Sequence, residues 1–301
     1  MYKKIFTLTF VAAALLFSAC QKSEGIYNPK QKIDKIFTEE FVSLAGREVA
    51  TGKELSEDWT WDGDKLTRVD KYDIMTSELE ESCSYTYDGN VLTRLSLDAN
   101  NYSEFIYDGK KLSEVRSYEN GKLESTLLIT KRDGKKITEM KATTYDLDND
   151  SKSTHLLQST LHLFMPASAA EKIATLAQKR VATKDGKTET NIAFTWAGDN
   201  ISQLEATEPG YRVYMAYEYD NKKSPYTGLG ECLTETSSLS MWSSKNNIVY
   251  DSIIVFEDNQ ESMSVVVNYT YEYDGNWPVK RILEVTLPIG SATSNTYYEY
   301  K

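Results

Sequence analysis

Histidine is almost missing from this chain of 301 residues: there are two, His155 and His162, in one apolar segment. Cysteine is nearly as scarce, with Cys20, Cys83 and Cys232 widely separated. A zinc site needs several nitrogen or sulfur ligands at short spacing, so no metal site is expected, and the histidines read as core or edge residues. There is no Gly-x-Ser-x-Gly elbow and no phosphate-cradling glycine loop, so no catalytic residue and no cofactor is assigned. Proline is limited to 6 residues, whereas tyrosine reaches 21. Beyond Phe17 no apolar run is long enough to cross a bilayer as a helix. Basic residues are outnumbered, 34 Lys and Arg against 45 Asp and Glu. Such an acidic body argues against nucleic acid and against lying flat on anionic lipid.

The first residues are a targeting segment. Lys3 and Lys4 precede an apolar run from Ile5 to Phe17, which ends in Leu16-Phe-Ser-Ala-Cys20. Small residues directly before a cysteine resemble the lipobox of bacterial lipoproteins, whose cysteine is acylated and becomes the mature N-terminus. The alternative is an ordinary secretory signal cut near Ala19. The lipobox implies a signal peptide over 1–19, lipidation at Cys20, a polar tether over 20–32 with Gly25 and Asn28-Pro29, and one domain over 33–301. Each buried methylene of an acyl chain contributes about 0.8 kcal/mol, so two or three chains hold a water-soluble body at a membrane. Without Lys3 and Lys4 the net charge falls from −11 to about −13. Cys83 and Cys232 could form one disulfide or remain buried thiols.

The domain is written in one repeated phrase: an aromatic, Asp-Gly, two residues and an apolar residue. Trp61-Asp-Gly-Asp-Lys-Leu66, Tyr87-Asp-Gly-Asn-Val-Leu92 and Tyr107-Asp-Gly-Lys-Lys-Leu112 follow it closely. Asp133-Gly-Lys-Lys-Ile137 has Arg132 in the aromatic place, and Trp196-Ala-Gly-Asp-Asn-Ile201 and Tyr273-Asp-Gly-Asn-Trp-Pro-Val279 are variants. Consecutive phrases lie roughly 20 to 27 residues apart, the length of one hairpin and two turns. Asp-Gly between alternating segments predicts a type I′ turn, which needs φ > 0 at both central residues. Asn120-Gly121 and Asp98 to Asn101 fall where the opposite turns belong.

Aromatics spaced by two, such as Trp59/Trp61, Tyr85/Tyr87, Tyr217/Tyr219, Tyr269/Tyr271/Tyr273 and Tyr298/Tyr300, share a face and predict cross-strand ladders. Thr and Glu between them suit a wet opposite face. One feature breaks the alternation: Leu66/Val69, Leu92/Leu95 and Leu112/Val115 are three apart. Either a bulge follows each turn or both faces are partly buried.

These phrases resemble the YD repeats of RHS-type proteins. With the lipobox, the entry Asn28-Pro-Lys-Gln-Lys-Ile33, Tyr219-Asp-Asn-Lys-Lys-Ser-Pro-Tyr226 and the terminal Tyr271-Glu-Tyr-Asp-Gly-Asn276, the whole resembles a Bacteroidetes lipoprotein family of unknown function with a porin-like fold. The resemblance implies a mostly β architecture, an antiparallel meander of hairpins in a strongly curved or barrel-like sheet. It implies no catalytic residues.

Two stretches interrupt the repeat. Residues 166–180 predict an inserted helix, with capping-box spacing at Ser168 and Glu171 and helical spacing of Ile173, Leu176, Ala177 and Val181. Covering a sheet edge is the favoured reading over plugging a barrel mouth. Residues 222–247 form a long loop carrying Tyr226 and Trp242, the candidate binding aromatics. Asp146-Leu-Asp-Asn-Asp150 has alternate carboxylates as in a calcium loop, but Ser151 and Leu157 stand where that loop needs Gly and Glu, so a solvated acidic turn is expected.

The expectation is a membrane-anchored, non-catalytic β-repeat lipoprotein that binds or scaffolds in the cell envelope. Its predicted place is the outer membrane, on its periplasmic or surface side, as a monomer held by its lipid. Exposed aromatic rows would recognise an envelope protein or glycan. One alternative is a carrier enclosing an apolar ligand. The other is a glycan-processing enzyme, which needs two carboxylates about 5–10 Å apart in a cleft.

Overall fold

The computed structural model describes residues 31–44, 47–145, 187–226, 244–287 and 290–301. The helix expected over 166–180, the acidic stretch 146–150, both histidines, Cys20, Cys232 and Trp242 lie outside them. The described chain is all strand and turn. In order it forms β1 (Ile33–Leu44), β2 (Arg47–Ala50), β3 (Glu54–Asp62), β4 (Lys65–Tyr72), β5 (Leu79–Asp88) and β6 (Val91–Ser96). Next come β7 (Tyr102–Asp108), β8 (Lys111–Glu119), β9 (Lys122–Asp133), β10 (Lys136–Tyr145), β11 (Lys187–Ala197) and β12 (Asn200–Glu208). The last are β13 (Tyr211–Lys223), β14 (Asn246–Glu257), β15 (Gln260–Asp274), β16 (Trp277–Leu287) and β17 (Gly290–Tyr300).

Every pairing is antiparallel, and from β3 to β17 each strand pairs with the next. β2 pairs with the second half of β1 and β3 with its first half, so these two make one stave broken at Thr51-Gly52-Lys53. β17 pairs with β1 from Ile33↔Tyr300 to Phe41↔Thr293, and this seam closes the sheet. Seventeen segments therefore make a closed antiparallel barrel of sixteen staves. Closure removes the exposed sheet edges that would otherwise template aggregation.

The repeated phrase explains the hairpins at one rim, with a correction to the turn type. Asp62 pairs with Lys65, leaving Gly63-Asp64 as the two central residues. Gly63, Gly89, Gly109, Gly134, Gly198 and Gly275 all have φ between +56° and +61°, but the residue after each does not have positive φ. Positive φ at the first central position alone, occupied by glycine, marks a type II′ turn. The Asp closes the strand instead of entering the turn. True I′ geometry occurs at the other rim, where Asn120-Gly121 and Asp258-Asn259 both have positive φ.

A bulge follows each of these turns. Trp61 pairs with Leu66 but Thr60 with Arg68, so Thr67 is the extra residue. Thr93, Ser113 and Ser202 hold the same place in β6, β8 and β12. The hydroxyls of Thr67, Thr93, Ser113 and Ser202 donate back to the carbonyls of Thr60, Thr86, Ile106 and Thr195 at 3.0, 3.2, 2.9 and 3.2 Å. The bulge shifts side-chain phase by one, which places Leu66 with Val69, Leu92 with Leu95 and Leu112 with Val115 on one buried face.

That face is continuous around the ring and points inward. It carries Trp59, Leu66, Val69, Cys83, Leu92, Leu95, Phe105, Val115, Met140, Ile192, Phe194, Leu204, Met215, Ile253, Val265, Val267, Leu283 and Val285, all buried. The aromatic rows also face inward, contrary to the expectation of exposed rows. Three of them clasp the strand before: their polar atoms reach the carbonyl of the apolar residue that ends the preceding phrase. Tyr87 Oη donates to Leu66 O at 2.7 Å, Tyr107 Oη to Leu92 O at 2.8 Å and Trp196 Nε1 to Ile137 O at 2.8 Å. Arg132, in the aromatic place of its phrase, donates from Nη2 to Leu112 O at 2.7 Å. Cys83 is a buried inward thiol whose Sγ lies 3.2 Å from Glu81 Oε1.

The outer wall is charged. Arg68–Asp70, Arg116–Glu114, Lys141–Glu189, Arg212–Glu205 and Lys280–Glu272 form ion pairs of 2.7, 2.8, 2.8, 3.4 and 3.4 Å on it. Exposed pairs of this kind add little stability. Their location matters more, because Arg94, Glu104, Glu114 and Arg116 stand mid-strand in the belt that lipid would have to cover.

Candidate functional site: the inward polar centre

A few polar side chains occupy inward positions in β14 to β17, in phase with the apolar set. On β16 the inward series is Arg281, Leu283, Val285, and Arg281 lies opposite Tyr271 of β15 and Thr296 of β17. On β14 Asp251 alternates with Ile253 and Val255 and lies opposite Tyr217 and Val267.

Arg281 is ringed by tyrosines. Its Cζ lies 5.9 Å from the ring centroid of Tyr269. Its Nη2 donates to Thr296 Oγ1 at 3.0 Å, and its Nε has no acceptor. The residue as a whole is half-buried, so part of it keeps accessible surface although it faces the interior. Burial opposes its charge, while Tyr298, Tyr226, Tyr271 and Tyr269 favour it. A guanidinium stays ionised in a folded protein. The Tyr269 hydroxyl is buried without a partner, and burial pushes its pKa well up.

Asp251 is fully enclosed, with 0% exposure, and neither carboxylate oxygen has a hydrogen-bond donor. Burial alone raises its pKa well above the ordinary carboxylate range. A perturbed acid of this kind is a usual catalytic candidate. Here no path to solvent reaches its oxygens, so it cannot exchange a proton with a substrate held in a cleft.

The segment after β13 closes over this centre. Lys223 N–H donates to Asn276 O and Ser224 N–H to Lys245 O, both at 3.1 Å. Tyr226, one of the two candidate binding aromatics, is 8% exposed and stands edge-on to Tyr298 with centroids 6.2 Å apart. It packs with Ile33, Ile36, Trp59, Leu66 and Val69 instead of standing on an open loop. The bases of the connection are pinned. The Asp220 carboxylate accepts from Lys222 N–H at 2.9 Å, from Asn247 N–H and Nδ2 at 3.1 Å and from the Tyr273 hydroxyl. Asn200 Oδ1 accepts from Lys245 and Asn246 N–H at 2.9 and 3.1 Å.

Arg281 and Asp251 were not singled out from the sequence. The available signal was phase: each is a charge standing in register with an apolar series.

No protein-family model and no curated protein sequence matches the chain. Among solved structures it is similar to a protein described as porin-like from Bacteroides vulgatus, with a TM-score of 0.46 and 12% identity over 90% of this chain and 99% of that one. A second porin-like protein, from Bacteroides uniformis, aligns with a TM-score of 0.43 and 10% identity over 91% of this chain and 99% of that one. Similarity of this degree assigns neither an activity nor a cellular place.

Proposed function

We propose that the protein is a non-catalytic barrel of the cell envelope, lipid-anchored at the outer membrane through Cys20, whose outer wall and rim loops bind an envelope protein or glycan. The observation that carries this reading is the polarity of the barrel. A membrane-spanning barrel is apolar outside and polar inside, and a midplane Arg or Lys on its lipid face costs about 2–4 kcal/mol. Here the apolar residues face inward and Arg94, Glu104, Glu114 and Arg116 face outward. A ring of sixteen strands can surround an aqueous channel, but the inward residues Leu66, Ile253, Val265, Val267 and Val285 have 0% exposure, so no aqueous lumen borders them. The same burial weighs against an apolar-ligand carrier, whose empty lumen would leave apolar surface accessible. With the aromatic rows turned inward, recognition falls to the outer wall and to the rims, where Met75, Leu79 and Leu97 are exposed.

The lipobox at Cys20 supports the anchor, and the acidic body supports a position beside the membrane instead of in it. Intact-mass and N-terminal peptide analysis of protein extracted from cell membranes tests the anchor: acylated Cys20 is expected, and an unmodified chain cut near Ala19 would remove it. Cross-linking on intact cells tests the binding role. A reproducible envelope protein or glycan joined to the outer wall or a rim supports it, and ion conductance in planar bilayers would overturn the non-channel reading.

A further inference from the structure

We infer that the rim over β5 to β8 is a docking surface for a basic protein segment that carries apolar side chains. This rests on the binding role proposed above and gives it a place and a partner chemistry. Among the described residues, the large apolar side chains left exposed are Met75, Leu79, Leu97 and Leu128. All four lie between the β4–β5 loop and β9, on one side of the barrel. Met75, at 71% exposure, shares with Leu79 and Leu97 the rim opposite the II′ turns. Single exposed apolar residues need no explanation, but a group on neighbouring hairpins marks an interaction site. The loops that carry them are fixed. Asp73 Oδ1 accepts from Met75 and Thr76 N–H, each at 2.8 Å. Asp98 Oδ1 accepts from Asn100 and Asn101 N–H at 2.7 and 2.8 Å. Gly121 N–H donates to Asn100 O at 2.8 Å and Asn120 N–H to Asn101 Oδ1 at 3.0 Å, which ties this loop to the next turn. Apolar groups presented from ordered backbone lose little entropy on binding.

Beside this rim, Arg94, Tyr102 and Tyr118 form a stack across β6, β7 and β8. Arg94 Cζ lies 3.5 Å from the Tyr102 ring centroid, and the Tyr102 and Tyr118 rings stack at 4.7 Å and 18°. Tyrosine and arginine are the residues that dominate binding hot spots. The stack also separates two partner classes. A sugar needs an open aromatic face, and the faces of Tyr102 are taken by Arg94 from β6 and Tyr118 from β8. Ring edges and aliphatic surface remain, and these suit a protein. Charge sets the sign of that protein. Glu78, Glu80, Asp98 and Glu119 are exposed on these loops or beside them, against Lys122. A complementary surface is therefore basic.

The experiment is site-specific photo-cross-linking of the full chain in living cells. Benzoylphenylalanine replaces Met75, Leu79 or Leu97 in turn. Thr207 and Thr286, exposed on β12 and β16, are the control positions. Mass spectrometry of the joined peptides identifies what was captured. The expected result is one protein, joined at all three rim positions through a segment of net positive charge and absent from the controls. Its yield at Leu97 should fall about tenfold or more in Met75→Ser/Leu79→Ser and in Glu78→Lys/Glu80→Lys. It should stay unchanged in Glu284→Lys on the opposite wall. A glycan, an acidic segment or a second copy of this chain at the rim would overturn the inference, as would a yield indifferent to both double variants. A partner joined only at the controls would overturn it and leave the binding role standing. No partner at any position would remove both.

Discussion

Asp251 is the residue at which burial and charge conflict most directly. Its folded-state pKa is raised by burial, so the folded protein holds a proton that the unfolded chain releases near the ordinary value of about 3.9. The sign follows. Below that pH both states are protonated and the residue costs little. As pH rises towards the folded-state pKa, stability falls by about 1.4 kcal/mol per unit. Asp251→Asn should therefore match the parent protein near pH 3.5 and become progressively more stable than it from pH 5 to 8. Urea melts across that range check the prediction, and parallel curves for the two proteins would refute it.

Glycine and tyrosine in the repeated phrase carry their own predictions. A Cβ at Gly109 would meet nothing within 4 Å, so Gly109→Ala isolates backbone strain at φ +61°. It should cost about 1–3 kcal/mol. Gly121→Asn, in an I′ turn where Asn tolerates positive φ, should cost well under 1 kcal/mol. Equal losses in denaturant melts would contradict the turn assignment. Tyr107→Phe removes the donor to Leu92 O and should cost about 1 kcal/mol with the fold retained.

At the scale of the element, the unit is a hairpin with a II′ turn, one extra hydroxyl residue and an aromatic clasp onto the strand before it. Substituting the extra residue and inserting a second one beside it should differ sharply. Ser113→Ala loses one hydrogen bond to Ile106 O and should cost about 0.5–1.5 kcal/mol. Inserting one residue after Ser113 shifts the rest of β8 by one and turns Val115 outward. That protein should lose its cooperative melt, as circular dichroism would show.

The hairpins were legible because Gly, Asp and the apolar phase act over a few residues. The bulge was legible only as one of two explanations for a spacing of three, since a double-faced sheet accounts for it equally well. Which face the aromatic rows take was not legible. Tyr alternating with Thr and Glu suits a half-wet surface as readily as an interior, and the rings turn inward because Tyr107, Trp196 and their equivalents find a backbone carbonyl there. Closure was beyond reach for a related reason. It rests on Ile33 meeting Tyr300, a contact that no local pattern announces.

At the scale of the molecule, the seam between β1 and β17 brings the two ends of the described chain together, with Lys301 N–H donating to Lys32 O at 2.9 Å. The central claim concerns which side of the barrel is greasy. The most direct test is the behaviour of the mature chain with Cys20→Ala in buffer without detergent, by light scattering after size exclusion and by liposome flotation. The account predicts a folded, β-rich monomer that stays in solution and does not float with vesicles. A protein that needs detergent to remain folded and inserts into bilayers would contradict it.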